Sequence, residues 1–196
     1  MKENAVIKVL LSRRSVRAYQ PRELERSMVD IIVETGRYAP SGGNSQTTKF
    51  IVIRSREVLD RLQILVESEF AKMEVSEGMY KSIRASITAS KRGGYRFCYD
   101  APVLVVLANK KEYGNAMADC SAAAENMLVA AHALGIGACW INQLKWLGEN
   151  ENVRAFMDDL GLNEDDVICA GVSLGYSAEG EKKPLERTGN EVIYIE

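Results

Sequence analysis

Residues 101–109, APVLVVLAN, constrain the fold more than any other stretch of this chain. Side chains of a strand point alternately to opposite faces, so an apolar run without alternation requires cover on both. Residues 119–135, DCSAAAENMLVAAHALG, offer part of that cover. They read as an Ala-rich helix begun a few residues earlier and closed by Gly135, with small residues that let another helix approach closely. Apolar spacing predicts further helices over 4–12 with Asn4 as cap, over 24–38, over 56–74, and over 150–161 stopped by Gly161. Strands are expected at KFIVIR (49–54), GACWINQL (137–144) and DDVICAGVSLGY (165–176), with turn chemistry in APSGGNSQ (39–46). The fold class is therefore α+β, a mixed central β-sheet flanked by helices, in a single domain spanning 1–196. The helical signal weakens between about 66 and 98, which reads as a mobile, lid-like surface excursion. Residues 177–196 read as a polar C-terminal arm ending in a strand-like VIYI.

Several chemistries are excluded by what the chain lacks. It has one histidine, His132, inside the Ala-rich helix, where a helix-face or packing role is expected. A Ser-His-Asp or Cys-His site would have to use it. The four cysteines, Cys98, Cys120, Cys139 and Cys169, form no C-x-x-C pair, and the last three lie in apolar runs, as buried small hydrophobes do. Neither a zinc site nor a disulfide framework is expected. No P-loop is present. GIGACW (135–140) follows a helix where a dinucleotide fingerprint follows a strand, so it reads as a tight turn. The formal charge of −2 gives no global surface for nucleic acid. No apolar run is long enough to span a membrane, and the start lacks a signal peptide's apolar centre, so a cytoplasmic protein is expected. With few acid–base or nucleophilic side chains, an enzyme of this sequence would rely on a bound cofactor.

Residues 10–21, LLSRRSVRAYQP, place Arg13, Arg14 and Arg17 around Ser15. The arginines either complement a helix C-terminus or gather around an anion, since guanidinium groups bind phosphate oxygens through paired hydrogen bonds.

RRSVR, then APSGGNSQ about two dozen residues later, GIGACWINQ after the Ala-rich helix, and a basic arm past GYSAEG together resemble the nitroreductase family of FMN-dependent oxidoreductases. The resemblance runs from about residue 8 to 195. It implies an intertwined homodimer with FMN at the interface, and NAD(P)H as electron donor. It implies ping-pong hydride transfer through flavin N5 to nitroaromatic, quinone or similar small-molecule acceptors. By resemblance, Arg13, Arg14 and Ser15 hold the phosphate and ribityl chain, and Arg17 the pyrimidine side of the ring. Pro40, Ser41, Gly42, Asn44 and Gln46 line the ring from the second chain. Trp140, Ile141, Asn142 and Gln143 lie along the ring, with a backbone N–H near Asn142 and Gln143 directed at N5, so that no catalytic side chain is assigned. The arm resembles a Lys-x-Arg element in which Arg187 fits but Leu185 stands at the lysine position, leaving Lys182 or Lys183 to substitute. Reductive dehalogenation, flavin-ring breakdown, non-catalytic flavin binding, or an anion-binding module without flavin remain as other readings of the same residues. Tyr80, Tyr95, Phe97 and Tyr99 are placed either to stack on an aromatic substrate or to form the core of the 66–98 segment.

Overall fold

The computed structural model describes residues 4–180 and 183–196. The chain opens with α1 (Ala5–Ser12), whose first N–H groups are capped by the Asn4 side chain. Helix α2 (Arg26–Arg37) follows, then a single 3-10 turn (Gly42–Asn44), β1 (Lys49–Ile53), α3 (Arg56–Lys72), α4 (Lys81–Arg92) and β2 (Val103–Lys110). The second half holds α5 (Ala116–Ala133), β3 (Gly137–Ile141), α6 (Gln143–Trp146), α7 (Glu151–Asp159) and β4 (Asp166–Gly175).

The strands form one sheet in the order β1-β2-β4-β3, each neighbouring pair antiparallel. The sheet itself is thus antiparallel throughout, and an isolated parallel bridge joins Ser15 to Ala138 at the β3 edge. β2 sits in the middle and explains its sequence. Val103, Val105 and Leu107 enter a core with α2 and α5, while Leu104, Val106 and Ala108 enter a second core with α3, α4, α6 and α7. The alternation is apolar on both sides because both faces are covered. The register shifts between Leu107 and Ala108, opposite Cys169. That bulge turns Cys169 toward the α5 side, beside Cys120.

Three expectations change. GACWINQL does not remain a strand: it ends at Ile141, and Asn142, with φ −109 and ψ −8, starts the one-turn α6. The weak segment at 66–98 contains the end of α3, all of α4 and a turn whose Phe97 and Cys98 are buried. Helix α4 turns Ser86, Ile87 and Ser90 inward, so small polar residues replace the apolar stripe that a pattern search needs. The expected VIYI strand is absent; Val192, Ile193, Tyr194 and Ile195 are exposed. The other helices and strands stand within a few residues of their expected bounds. All four cysteines are buried and free. His132 has the expected helix-face role: its Nε2 lies 2.9 Å from the Ser12 hydroxyl, joining α5 to α1. Among the described residues no helix is long and apolar enough to cross a membrane.

Candidate functional site

The arginine segment leaves α1 at Arg13 and runs along the edge of β3. Val16 N–H bonds the Ala138 carbonyl at 3.0 Å. Because the bridge is parallel, Arg13 and Arg14 lie toward the start of β3 and Arg17 toward its Trp140 end. The guanidinium groups do not complete α1. Arg13 pairs with Glu125 of α5 at 3.4 Å, and Arg14 Nη1 donates to the Lys183 carbonyl at 2.8 Å. A guanidinium has five N–H donors, so these bonds leave most of each fork available. Burial opposes the charge on Arg17, but Cys139 and the Tyr99 hydroxyl beside it raise its pKa above the ordinary value. That group is held charged.

The start of the C-terminal arm covers this segment. Gln20 N–H bonds the Tyr176 carbonyl at 2.8 Å, Gln20 Nε2 the Ser177 carbonyl at 2.8 Å, and Ala178 N–H the Ala18 carbonyl at 2.9 Å. Lys183 thus reaches the arginines through its main chain. Arg187 is exposed, and Lys182 lies outside the described residues.

At the far end of β3 the turn is tightly specified. Trp140 Nε1 donates to Asn142 Oδ1 at 2.8 Å, and Asn142 N–H donates to Gln143 Oε1 at 3.1 Å. The Ile141 side chain is buried in the α3 core, so only its main chain can face a ligand here. From the Ser15–Ala138 bridge to Asn142 the strand advances four residues, about 13 Å at ~3.3 Å per residue. The β3 edge thus carries guanidinium donors, suited to an anionic group, at one end and amide groups at the other.

The 39–46 loop is a second, separate cluster. Its fastening point is Asp119, a buried carboxylate in the first turn of α5. Gly42 N–H approaches the two oxygens of Asp119 at 3.2 and 3.3 Å, and Asp119 Oδ2 also accepts from the Ser45 hydroxyl at 3.3 Å and the Tyr113 hydroxyl at 2.9 Å. A Cβ at residue 42 would crowd the exposed Asn115 side chain, which can move, and stand 2.6 Å from the Tyr113 hydroxyl, which is held on Asp119, so a side chain here would disturb that clamp. Ser41 Oγ accepts from Gln46 N–H at 3.3 Å. Asn44 and Gln46 hold left-handed backbone at φ 56 and 51, with Gly43 at 60 between Gly42 and Asn44. Non-glycine residues there cost on the order of 1–3 kcal/mol each, which the Asp119 clamp and the Ser41 hydroxyl help to offset. Pro40, Asn44 and Gln46 are exposed and line an open cavity of about 420 Å³ with Ser41, Arg37, Tyr38 and Phe50.

One chain therefore gathers Arg13, Arg14, Ser15, Arg17, Trp140, Asn142, Gln143 and Lys183 along β3. It places Pro40, Ser41, Gly42, Asn44 and Gln46 elsewhere, around the N-terminal turn of α5. Sequence reading missed Asp119 and Tyr113 behind the loop, and it named Tyr95 without its bond to Gln143. Only Asp119 carried a local signal, as a lone carboxylate opening an apolar, Ala-rich helix.

Comparison with known proteins gives a consistent picture. The profile of the nitroreductase family matches residues 10–176. A nitroreductase with bound FMN from Bacteroides fragilis NCTC 9343 superposes with a TM-score of 0.86 at 35% identity, covering 98% of this chain and 100% of that one. A second nitroreductase with bound FMN, from Desulfitobacterium hafniense DCB-2, gives 0.83 at 25% identity over 99% and 100%. A protein of Archaeoglobus fulgidus, provisionally named NADH dehydrogenase/NAD(P)H nitroreductase, is 32% identical over 87% of this chain and 84% of its own length.

Proposed function

The chain belongs to the nitroreductase family, and from that premise we propose that it is an FMN-dependent oxidoreductase that takes electrons from NAD(P)H and delivers them to nitroaromatic, quinone or similar acceptors. The observation that carries this reading is the division of the candidate site into two clusters on one chain, each lacking what the other has. Two copies, each giving its β3 edge to one site and its 39–46 loop to the other, make two complete sites. Surfaces for such an assembly are at hand. Helix α1 buries none of its residues and exposes Val6, Ile7, Leu10 and Leu11. Ile31 and Tyr38 of the α2 region and the arm's VIYI are likewise uncovered.

The donor set suits FMN. Arg13 and Arg14 offer forked N–H donors to a phosphate monoester, which carries about −1.5 to −2 charges at neutral pH. Ser15 adds a hydroxyl for the same tail, and Arg187 of the arm adds a cation at that end. Arg17 is a fixed positive charge at the ring end, where it stabilises negative charge on the pyrimidine carbonyl side. Asn142 N–H is taken by Gln143 Oε1, and the main-chain N–H groups that follow it in the first turn of α6 have no carbonyl of that short helix to donate to. Pro40, Ser41, Gly42, Asn44 and Gln46 of a second copy close the site with close-lying backbone and amide groups. Bound FMN supplies the hydride-accepting and hydride-donating ring that no side chain of this protein provides.

Anaerobic titration tests the reading. The purified protein is expected to be yellow, to bleach with NADH or NADPH, and to recover its colour with a nitro compound or a quinone. A yellow protein that neither nucleotide bleaches would leave a flavin-binding protein and overturn the oxidoreductase. A colourless chain that takes up no added FMN would overturn the cofactor.

A further inference from the structure

The turn at Asn142 is held by a chain of hydrogen bonds that leads into α4. Gln143 Nε2 lies 2.7 Å from the Tyr95 hydroxyl, which lies 2.8 Å from Ser86 Oγ, which lies 3.1 Å from the Ser82 carbonyl. The hydrogens of this chain can be assigned without ambiguity. A carbonyl only accepts, so the single hydroxyl hydrogen of Ser86 goes to Ser82. Ser86 must then accept from Tyr95, which uses the one hydrogen of Tyr95. Tyr95 must in turn accept from Gln143, which fixes the amide with Nε2 toward the tyrosine. The other end of that amide, Oε1, is left facing the Asn142 N–H, which it accepts at 3.1 Å. The chain therefore has one direction, from the Asn142 main chain to a carbonyl inside α4.

Tyr95 is itself fixed from several sides. Its N–H bonds Glu67 Oε1 at 2.9 Å, and its carbonyl accepts from Gln63 Nε2, while Gln63 Oε1 accepts from Phe97 N–H at 3.1 Å. Its ring meets Phe70 edge-on at 6.3 Å. Burial pushes the phenol's pKa above its ordinary value, so the hydroxyl stays protonated across the physiological range. These contacts tie the half-buried Tyr95 into the core of the 66–98 segment.

We propose that Tyr95 is a positioning residue: through Gln143 it pins the Asn142 N–H and so sets the main chain at the start of α6, coupling the α3–α4 segment to the part of the site that faces the ring. This rests on the flavin reading for its functional consequence, but the hydrogen-bond chain exists without the flavin. The chemical role is orientation. With Asn142 N–H taken by Gln143 Oε1, the N–H groups that follow are the ones left to face a ligand, and their direction depends on the Tyr95 hydroxyl.

The test is amide hydrogen exchange on the full-length protein without FMN, comparing the parent with Tyr95→Phe and Ser86→Ala. Tyr95→Phe removes the acceptor for Gln143 Nε2. Ser86→Ala removes the acceptor for Tyr95, frees the phenol hydrogen to compete for Gln143 Oε1, and touches neither Gln143 nor Asn142 directly. Exchange at Asn142 should accelerate about tenfold in both variants, the scale of one lost hydrogen bond, while Ala138 to Trp140 keep the parent rates. Unchanged protection of Asn142 in either variant overturns the proposal, and Ser86→Ala decides if Tyr95→Phe does not fold. In the FMN-loaded proteins, Tyr95→Phe should keep full flavin occupancy, shift the flavin absorption bands and lower kcat/KM about tenfold. Faster exchange with an unchanged flavin spectrum and unchanged turnover overturns the positioning role. A parent protein that binds no FMN but shows the exchange pattern would remove the proposed function and leave the hydrogen-bond chain standing.

Discussion

Removing the Asp119 carboxylate should cost stability and cofactor together. The carboxylate is 6% exposed and faces three donors, of which only the Tyr113 hydroxyl at 2.9 Å is short. Bonds to a charged acceptor contribute roughly 1.5–3 kcal/mol each, and the longer Gly42 and Ser45 contacts belong at the low end. Asp119→Ala also leaves the Gly42 N–H facing the vacated space and removes an acid from the first turn of α5, worth about 0.3–1 kcal/mol. Water can reach Ser45, so the contributions do not simply add. A loss of about 2–4 kcal/mol results, which for a chain of this size lowers Tm by about 5–15 °C. Asp119→Asn keeps one acceptor oxygen and should lose about half as much. Thermal unfolding followed by circular dichroism, without FMN, measures this directly. The freed loop should also relax from the left-handed backbone at Asn44 and Gln46, so FMN retained through gel filtration should fall below half of the parent value. An Asp119→Ala protein that melts within about 2 °C of the parent and keeps its flavin would refute the reasoning.

Other perturbations test other parts of the structure. Arg14→Ala should lose FMN while the oligomer, measured by light scattering, persists; full occupancy would refute the phosphate assignment. All four thiols are buried, and burial holds Cys98 up at about 11 and raises Cys139. A thiol reagent at neutral pH should therefore find fewer than one cysteine per chain in the native protein and all four after denaturation. Burial opposes ionisation of Asp166, but Lys49 at 2.5 Å, the Asn163 N–H and Lys110 overcome it and lower its pKa. A lowered folded pKa stabilises above the unfolded value, and that stability is lost as pH falls through the folded one. The Tm advantage of the parent over Asp166→Asn should be flat near neutrality and shrink below about pH 4.

The parts of this molecule that could be read from sequence are those whose cause is local. β2 was legible because both of its faces are buried, and α5 because its cap at Gly135 takes φ +73 and its small residues repeat. The family motifs were legible because they are contiguous. Helix α4 was faint because it buries serines, and the end of β3 was misread because a Trp140–Asn142 side-chain bond, not a glycine or proline, marks the turn. Asp119 looked like an ordinary helix start until the fold brought Gly42, 77 residues away, against it. Tyr95 and Gln143 are 48 residues apart in the chain, and no periodicity announces such a pair.

Two copies sharing each flavin can be tested by complementation. One variant carries Arg14→Ala, which damages the β3 edge; the other carries Asp119→Ala, which releases the loop. Each alone should bind little FMN. Co-expressed with different affinity tags and purified as the mixed dimer, they combine both lesions in one site and leave the other intact, so one FMN per mixed dimer is expected. A mixed dimer with no more flavin than either variant alone would mean that each site is built from a single chain, and would contradict the account.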